Sequence, residues 1–393
     1  MNTKKFRTKS NTIPRDNKVI DGIWEIALDI GYSAVKIFSP NMVASFPSYA
    51  KKVNQDFRYA LSAPKESILY KDLNTGEIWV VGQQAQKLMS SRETEDSEKS
   101  LYGRDRYYSP LFKVISEAGL GIAMQGNRFG EYKSTDKIVI QTGLPERYMN
   151  DERDLVDILS GPHSFALKIG NEEWKTFSFE VAKGDVFVMS QPKGTLFSVL
   201  TDKDAQYIPD AMNYLKSSVL IADPGFGTFD IFHINAGTVD TGETFADLGM
   251  KRVLQETCKL IKSEYGVEIS VPAMQENLET GTVIAYDRKT RKGAEYSIES
   301  LLERANNMVC EEALTRLNSS SSFDISKIKY FIITGGTGAA WLNKFEEEFS
   351  SYPWITFIKG NQNDDLDFIY SNVRGYFNYR YNKLKKELED KNL

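Results

Sequence analysis

Two aspartates, each followed two residues later by a glycine, carry the most informative chemistry in this chain. One lies in Ile26-Ala27-Leu28-Asp29-Ile30-Gly31-Tyr32-Ser33-Ala34-Val35-Lys36, the other in Ile221-Ala222-Asp223-Pro224-Gly225-Phe226-Gly227-Thr228-Phe229-Asp230. In both, an apolar run reaches the aspartate, breaks at glycine and resumes. The pattern predicts strand, tight turn, strand. Backbone N–H groups at such a tip can face an anion, and glycine there permits positive φ and close approach. Each stretch alone is also compatible with a plain hairpin. Their recurrence predicts two hairpins facing each other across a cleft, with phosphate oxygens and a divalent cation between Asp29 and Asp223. Lys36 either reaches back toward phosphate or lines the surface.

A third stretch, Ile332-Ile333-Thr334-Gly335-Gly336-Thr337-Gly338, runs from a buried strand into a double glycine and then a helix. Glycines here let a flat ring such as adenine lie on the backbone, and the helix N-terminus favours a polar or phosphate edge. The loop lacks a P-loop lysine, and the dinucleotide fingerprint is absent after the first strand. Gln191 stands at a predicted strand end, within reach of the cleft. Gly249, before the long amphipathic pattern Met250–Tyr265, lets backbone or a ribose come close, or simply starts a helix.

These residues need a scaffold. At 393 residues, two or more domains are expected. A net charge of −5 disfavours bulk duplex DNA binding. Cys258 and Cys310 lie in helical patterns and read as buried thiols of a reducing compartment. Only His163 and His233 are present, leaving little room for zinc or a histidine base. No apolar run spans a bilayer and no secretory signal is read, so a cytoplasmic protein without direct membrane contact is expected. The basic residues Lys4, Lys5, Arg7, Lys9, Arg15 and Lys18 suggest a disordered arm over 1–20.

Alternation and helical periodicity place an α/β domain over 21–194, with a small insertion at about 45–100 and a charged loop over 90–100. A second α/β domain covers 195–380, with an inserted subdomain at about 265–322 that includes a loosely structured basic stretch over 281–298. A long helix from Asp365 to Glu389, within a C-terminal segment 364–393, is expected to pack back on the core.

Taken together, in order and at this spacing, the three motifs resemble the actin-like ATPase superfamily, which also holds chaperone and sugar-kinase nucleotide-binding cores. The match covers about residues 23–380. It is most similar to the plasmid-segregation ParM/StbA group, to which Gly103-Arg104-Asp105, Thr142-Gly143-Leu144-Pro145 and Asn372-Val373-Arg374-Gly375-Tyr376 also point. The resemblance implies an actin-like (ribonuclease H-like) α/β fold of duplicated domains around a nucleotide cleft. It implies hydrolysis of ATP (or GTP) with Mg²⁺, positioned mostly through water by Asp29 and Asp223. The segments holding Gly31, Tyr32, Ser33 and Lys36, and Gly225, Phe226, Gly227 and Thr228, would bind phosphates. Gln191 would orient the attacking water with help from Asp223. Gly335, Gly336 and Thr337 would hold the base, with Asp247 or Gly249 near the sugar. Self-assembly head to tail into a multistranded filament follows, as does a DNA-binding adaptor on a centromere-like site. Two departures stand out: Gln191 occupies a position where some segregation actins carry glutamate, and Pro224 replaces the usual small residue. The same core also serves small-molecule kinases, chaperones and non-segregating scaffolds. No acid suited to a hydroxyl acceptor and no following substrate-binding domain is found.

Overall fold

The computed structural model describes residues 2–89, 91–101, 103–287 and 292–391. The chain divides into a larger unit, Thr8–Ile208 with Tyr370–Leu393, and a smaller one, Met1–Arg7 with Pro209–Ile369.

The larger unit is built on a six-stranded sheet in the order Asn11–Pro14, Met42–Pro47, Ala34–Ser39, Ile23–Ile30, Lys137–Leu144, Val186–Ser190. Ile23–Ile30 pairs antiparallel with Ala34–Ser39 and parallel with Lys137–Leu144. Its residues from Trp24 onward are all buried, which explains a near-continuous apolar run where a half-exposed strand would alternate. Trp24, Ile26 and Leu28 join the core under the helix Pro110–Ala123. That helix starts at Ser109, whose side chain accepts from the Phe112 N–H, with Pro110 in the first turn. The helix Ser371–Lys391 reaches Lys137–Leu144, where Arg380 donates from Nε (3.0 Å) and Nη2 (2.9 Å) to Gln141 Oε1. Helices Gln191–Leu200 and Ser371–Lys391 cross backbone to backbone: a Cβ on Gly375 would lie 1.7 Å from the Gly194 carbonyl oxygen.

A second sheet of this unit runs Lys175–Val181, Gly161–Ile169, Ile68–Asp72, Ile78–Val81, Ala50–Val53. The insertion expected at about 45–100 therefore supplies three of its strands, and the other two come from beyond it. The segment 90–100, expected as a loop, is helical over Ser91–Leu101 in its described part.

The smaller unit carries a sheet in the order Thr238–Phe245, Phe229–Asn235, Ser218–Pro224, Tyr330–Ile333, Thr356–Lys359. Helices Met250–Tyr265, Glu299–Asn318 and Gly338–Phe349 pack on it through one core that includes Leu254, Leu302, Val309, Phe331, Trp341 and Phe345. The segment expected as an inserted subdomain at about 265–322 thus shares that core through Glu299–Asn318. Within the basic stretch expected to be loose, Thr282–Asp287 and Lys292–Ser297 pair as an antiparallel ribbon, while Arg288, Lys289 and Arg291 lie outside the described residues.

Residues 1–20 differ from the disordered arm expected of their charge. Thr3–Phe6 forms a 3-10 turn with Phe6 buried in the core of the smaller unit. Thr3 Oγ1 donates to the Leu278 carbonyl at 2.8 Å, and Arg7 pairs with Glu279. Asn11–Pro14 then pairs antiparallel with Met42–Pro47 in the larger unit. Local composition fails here because one buried phenylalanine and a strand edge offset the solvation of six cations. The two units also exchange chain later than the sequence suggests. Residues 195–208 and the C-terminal helix stay with the first half's fold, not the second's.

Candidate functional site

The two aspartate–glycine stretches fold to the same plan. Each aspartate faces the residue seven positions on: Asp29 pairs across with Lys36, and Asp223 with Asp230. Each turn is closed by the glycine N–H two residues after the aspartate. Gly31 donates to the Ala34 carbonyl at 3.0 Å, and Gly225 to that of Thr228 at 2.8 Å. Those two amides are therefore spent inside the turns. Neither Gly31 nor Gly225 uses the left-handed φ that glycine permits.

The tip of the second hairpin is braced from behind. The Gly225 carbonyl accepts from the Met250 N–H (3.2 Å) and from Thr337 Oγ1 (2.6 Å), and the Phe226 carbonyl from the Lys251 N–H (2.8 Å). A trans peptide points its N–H opposite to its C=O. With both carbonyls turned onto Met250, Lys251 and Thr337, the N–H groups of Phe226 and Gly227 are directed away from them. The start of the helix Met250–Tyr265 can press this close only because residue 249 has no side chain. A Cβ there would lie 2.7 Å from the Phe226 oxygen and 2.9 Å from that of Gly225. Gly249 is explained by this packing, whatever it does for a sugar.

Thr337 and Gly335 serve the same turn. Thr337 is 1% exposed, and its N–H donates to the Pro224 carbonyl at 3.0 Å. Its hydroxyl, expected near a base, is thus committed to Gly225. Gly335 sits at φ +78°, where side chains are strained, and a Cβ would fall 2.3 Å from Asp223 Oδ1. Gly336 lies against Ile369. Pro224 is buried, with its ring under Gly338, so its stiff φ holds the end of the strand against the Gly-Gly loop.

In the first hairpin Asp29 is 2% exposed and both its oxygens hold donors. Lys36 Nζ lies 3.0 Å from Oδ2, and Gln191 Nε2 donates to Oδ1 at 3.3 Å. Gln191 follows the strand Val186–Ser190 as the first residue of the next helix, so strand register delivers it to Asp29. Ser48 braces this tip. Its hydroxyl donates to the Gly31 carbonyl at 2.7 Å and its N–H to that of Ser33 at 3.0 Å. Tyr32 lies under the Arg106 guanidinium, 5.8 Å from ring centroid to Cζ.

Two further side chains bear on the site. Asp230, unassigned in the sequence reading, is 9% exposed and accepts from Thr228 Oγ1 (2.7 Å) and Thr244 Oγ1 (2.6 Å). Asp247 binds Arg316 through both oxygens at 2.7 Å, and the guanidinium holds its carboxyl below the usual range. That places Asp247 on a surface ion pair. Among the described residues no three His, Cys, Asp or Glu side chains gather as a metal site. A divalent cation would meet Asp29 through water, since both its oxygens are occupied. Asp223 stands across from Asp230 on the same sheet face.

Two α/β units, each with a strand–aspartate–glycine–strand hairpin beside a sheet core, form the actin-like fold. Residues 27–194 match the family model described as the N-terminal domain of actin-like proteins. Solved structures agree over nearly the whole chain. The apo pSK41 ParM protein is 16% identical with a TM-score of 0.64, over 94% of this chain and 100% of that one. A ParM in a 15-stranded filament from Clostridium botulinum is 18% identical with a TM-score of 0.66, over 92% and 99%. Ta0583, an archaeal actin homologue in complex with ADP, is 15% identical with a TM-score of 0.61, over 91% and 99%. No curated protein sequence matches the chain. Among the described residues no helix is long and apolar enough to cross a membrane.

Proposed function

We propose that this protein is a nucleotide-dependent, filament-forming ATPase that moves plasmid DNA through a DNA-binding adaptor seated on a centromere-like site. The observation that carries the nucleotide half is the braced second hairpin, whose Phe226 and Gly227 amides are turned away from Met250, Lys251 and Thr337. Oriented amides of this kind stabilise phosphate charge without reorganising during reaction. In this reading the segments 31–33 and 225–228 hold the phosphates of ATP (or GTP) through the amides that the turns leave over, those of Phe226 and Gly227 above all, and Gly335 and Gly336 take the base. Thr337 acts by fixing the turn. Gln191 orients the attacking water while Asp29 fixes the glutamine, and Asp29 and Asp223 would hold Mg²⁺, mostly through water, to neutralise charge on the terminal phosphates. The filament half rests on the fold shared with the ParM filament subunit. Assembly favoured by triphosphate and weakened by hydrolysis follows if the filament contact prefers one nucleotide state.

The test couples two measurements, phosphate release and high-speed sedimentation, with and without Mg²⁺ and nucleotide. Gln191→Ala should slow phosphate release about 100-fold or more while nucleotide binding persists. Asp223→Ala should slow it as well. Unchanged release in both variants overturns the site. No sedimentation with a non-hydrolysable analogue overturns the filament, and leaves the kinase alternative to be tested with hydroxyl acceptors.

A further inference from the structure

The five-stranded sheet of the larger unit has two unlike faces. Tyr70, Phe165, Leu167 and Phe177 bury one of them in the main core. On the other, Leu69 and Val80 are covered by a small cluster with Tyr49 and Ala85. Beyond that cover, strand register lines up Ile78, Lys71, Ala166 and Thr176 in one row across four strands. With Gln55, Leu73 and Trp174 they line a groove of about 360 Å³.

Three features of the groove belong together. No aspartate or glutamate lines it. The Lys71 side chain makes no hydrogen bond or ion pair among the described residues, whereas Lys36, Lys51 and Lys113 of the same unit each engage a carboxylate. Trp174 and Leu73 stand 38% and 39% exposed at its walls, with the small Ala166 leaving the floor open between Lys71 and Thr176. A half-buried ammonium without a counter-charge attracts an anion, and an indole beside a shallow apolar floor suits a flat body. The volume is at the low end for small-ligand sites.

We propose that this groove binds a small organic carboxylate with a flat apolar body, its carboxylate on Lys71 and its plane against Trp174. The site is independent of the nucleotide reading. Indole-3-acetate is the probe, titrated into the full chain by calorimetry, with the neutral indole-3-acetamide as control. The acid should bind saturably and at least about tenfold more tightly than the amide, the worth of a charge-assisted bond. Lys71→Met should remove that difference, Lys71→Arg should retain it, and Trp174→Leu should weaken both probes. Equal affinity for acid and amide overturns the proposal, even if the lysine variants fail to fold. So does unchanged acid binding in Lys71→Met, or no saturable binding at millimolar probe.

Discussion

Thr337 shows how one hydroxyl can matter to a site without touching a ligand. It is buried and holds the Gly225 carbonyl, so its loss removes one of the two bonds that brace that carbonyl from behind. Thr337→Val keeps the volume and removes the bond. Urea unfolding should show a loss of about 1–2 kcal/mol, with Thr337→Ser close to the parent. Glu25 makes the opposite case. It is 4% exposed, its Oε1 has no partner, and burial pushes its carboxyl well above the ordinary range against the pull of Arg380. A carboxyl raised on folding contributes its full stability below the unfolded value of about 4.3 and loses it as pH climbs through the folded one. Glu25→Gln should therefore match the parent near pH 4 and melt at a higher temperature at pH 7 to 8. A parent whose melting temperature rises over that range relative to the variant would contradict the buried neutral acid.

At the scale of elements, the helix crossing at Gly194 and Gly375 is the least forgiving contact. Gly375→Ala should cost more than about 3 kcal/mol or prevent folding, because the obstacle is backbone and cannot swing aside. A denaturation midpoint within error of the parent would contradict the crossing. Elements with strong periodicity were legible in the sequence. Met250–Tyr265 has an apolar stripe and a glycine at each end, and its expected bounds match those observed. Ser91–Leu101 was not legible, because its charged and serine-rich residues read as a loop while glutamates and lysines still favour helix. The exposed ribbon strand Lys292–Ser297 gave no alternation to detect. In the site, the two hairpins were visible because their chemistry is local. The braces from Ser48, Met250, Lys251 and Thr337 were not, since a serine or threonine in a loop announces no distant partner. The meeting of Gln191 with Asp29, 162 positions apart, became visible only through strand register.

For the whole molecule, order along the chain and order in space part company. Residues 3–7 bind Leu278 and Glu279, some 275 positions away. Arg374 donates to the carbonyls of Ser198 (2.5 Å) and Asp202 (2.7 Å), and Asn378 to Thr201 Oγ1 (2.7 Å). Both units are therefore discontinuous, each owning a piece from the far end of the sequence. A nascent chain leaving the ribosome meets this as a delay. Residues 8–208 emerge before 209–369, yet the helix that covers their sheet follows only after that whole stretch, so the larger unit waits with apolar surface open. The prediction is that translation stalled before Ser371 yields a protease-sensitive, chaperone-bound product, and that release of the full chain converts it to resistant protein. Protease resistance in the stalled product would show that the larger unit closes without its last helix. Closure of the larger unit is thus timed by a helix encoded beyond the whole of the smaller one.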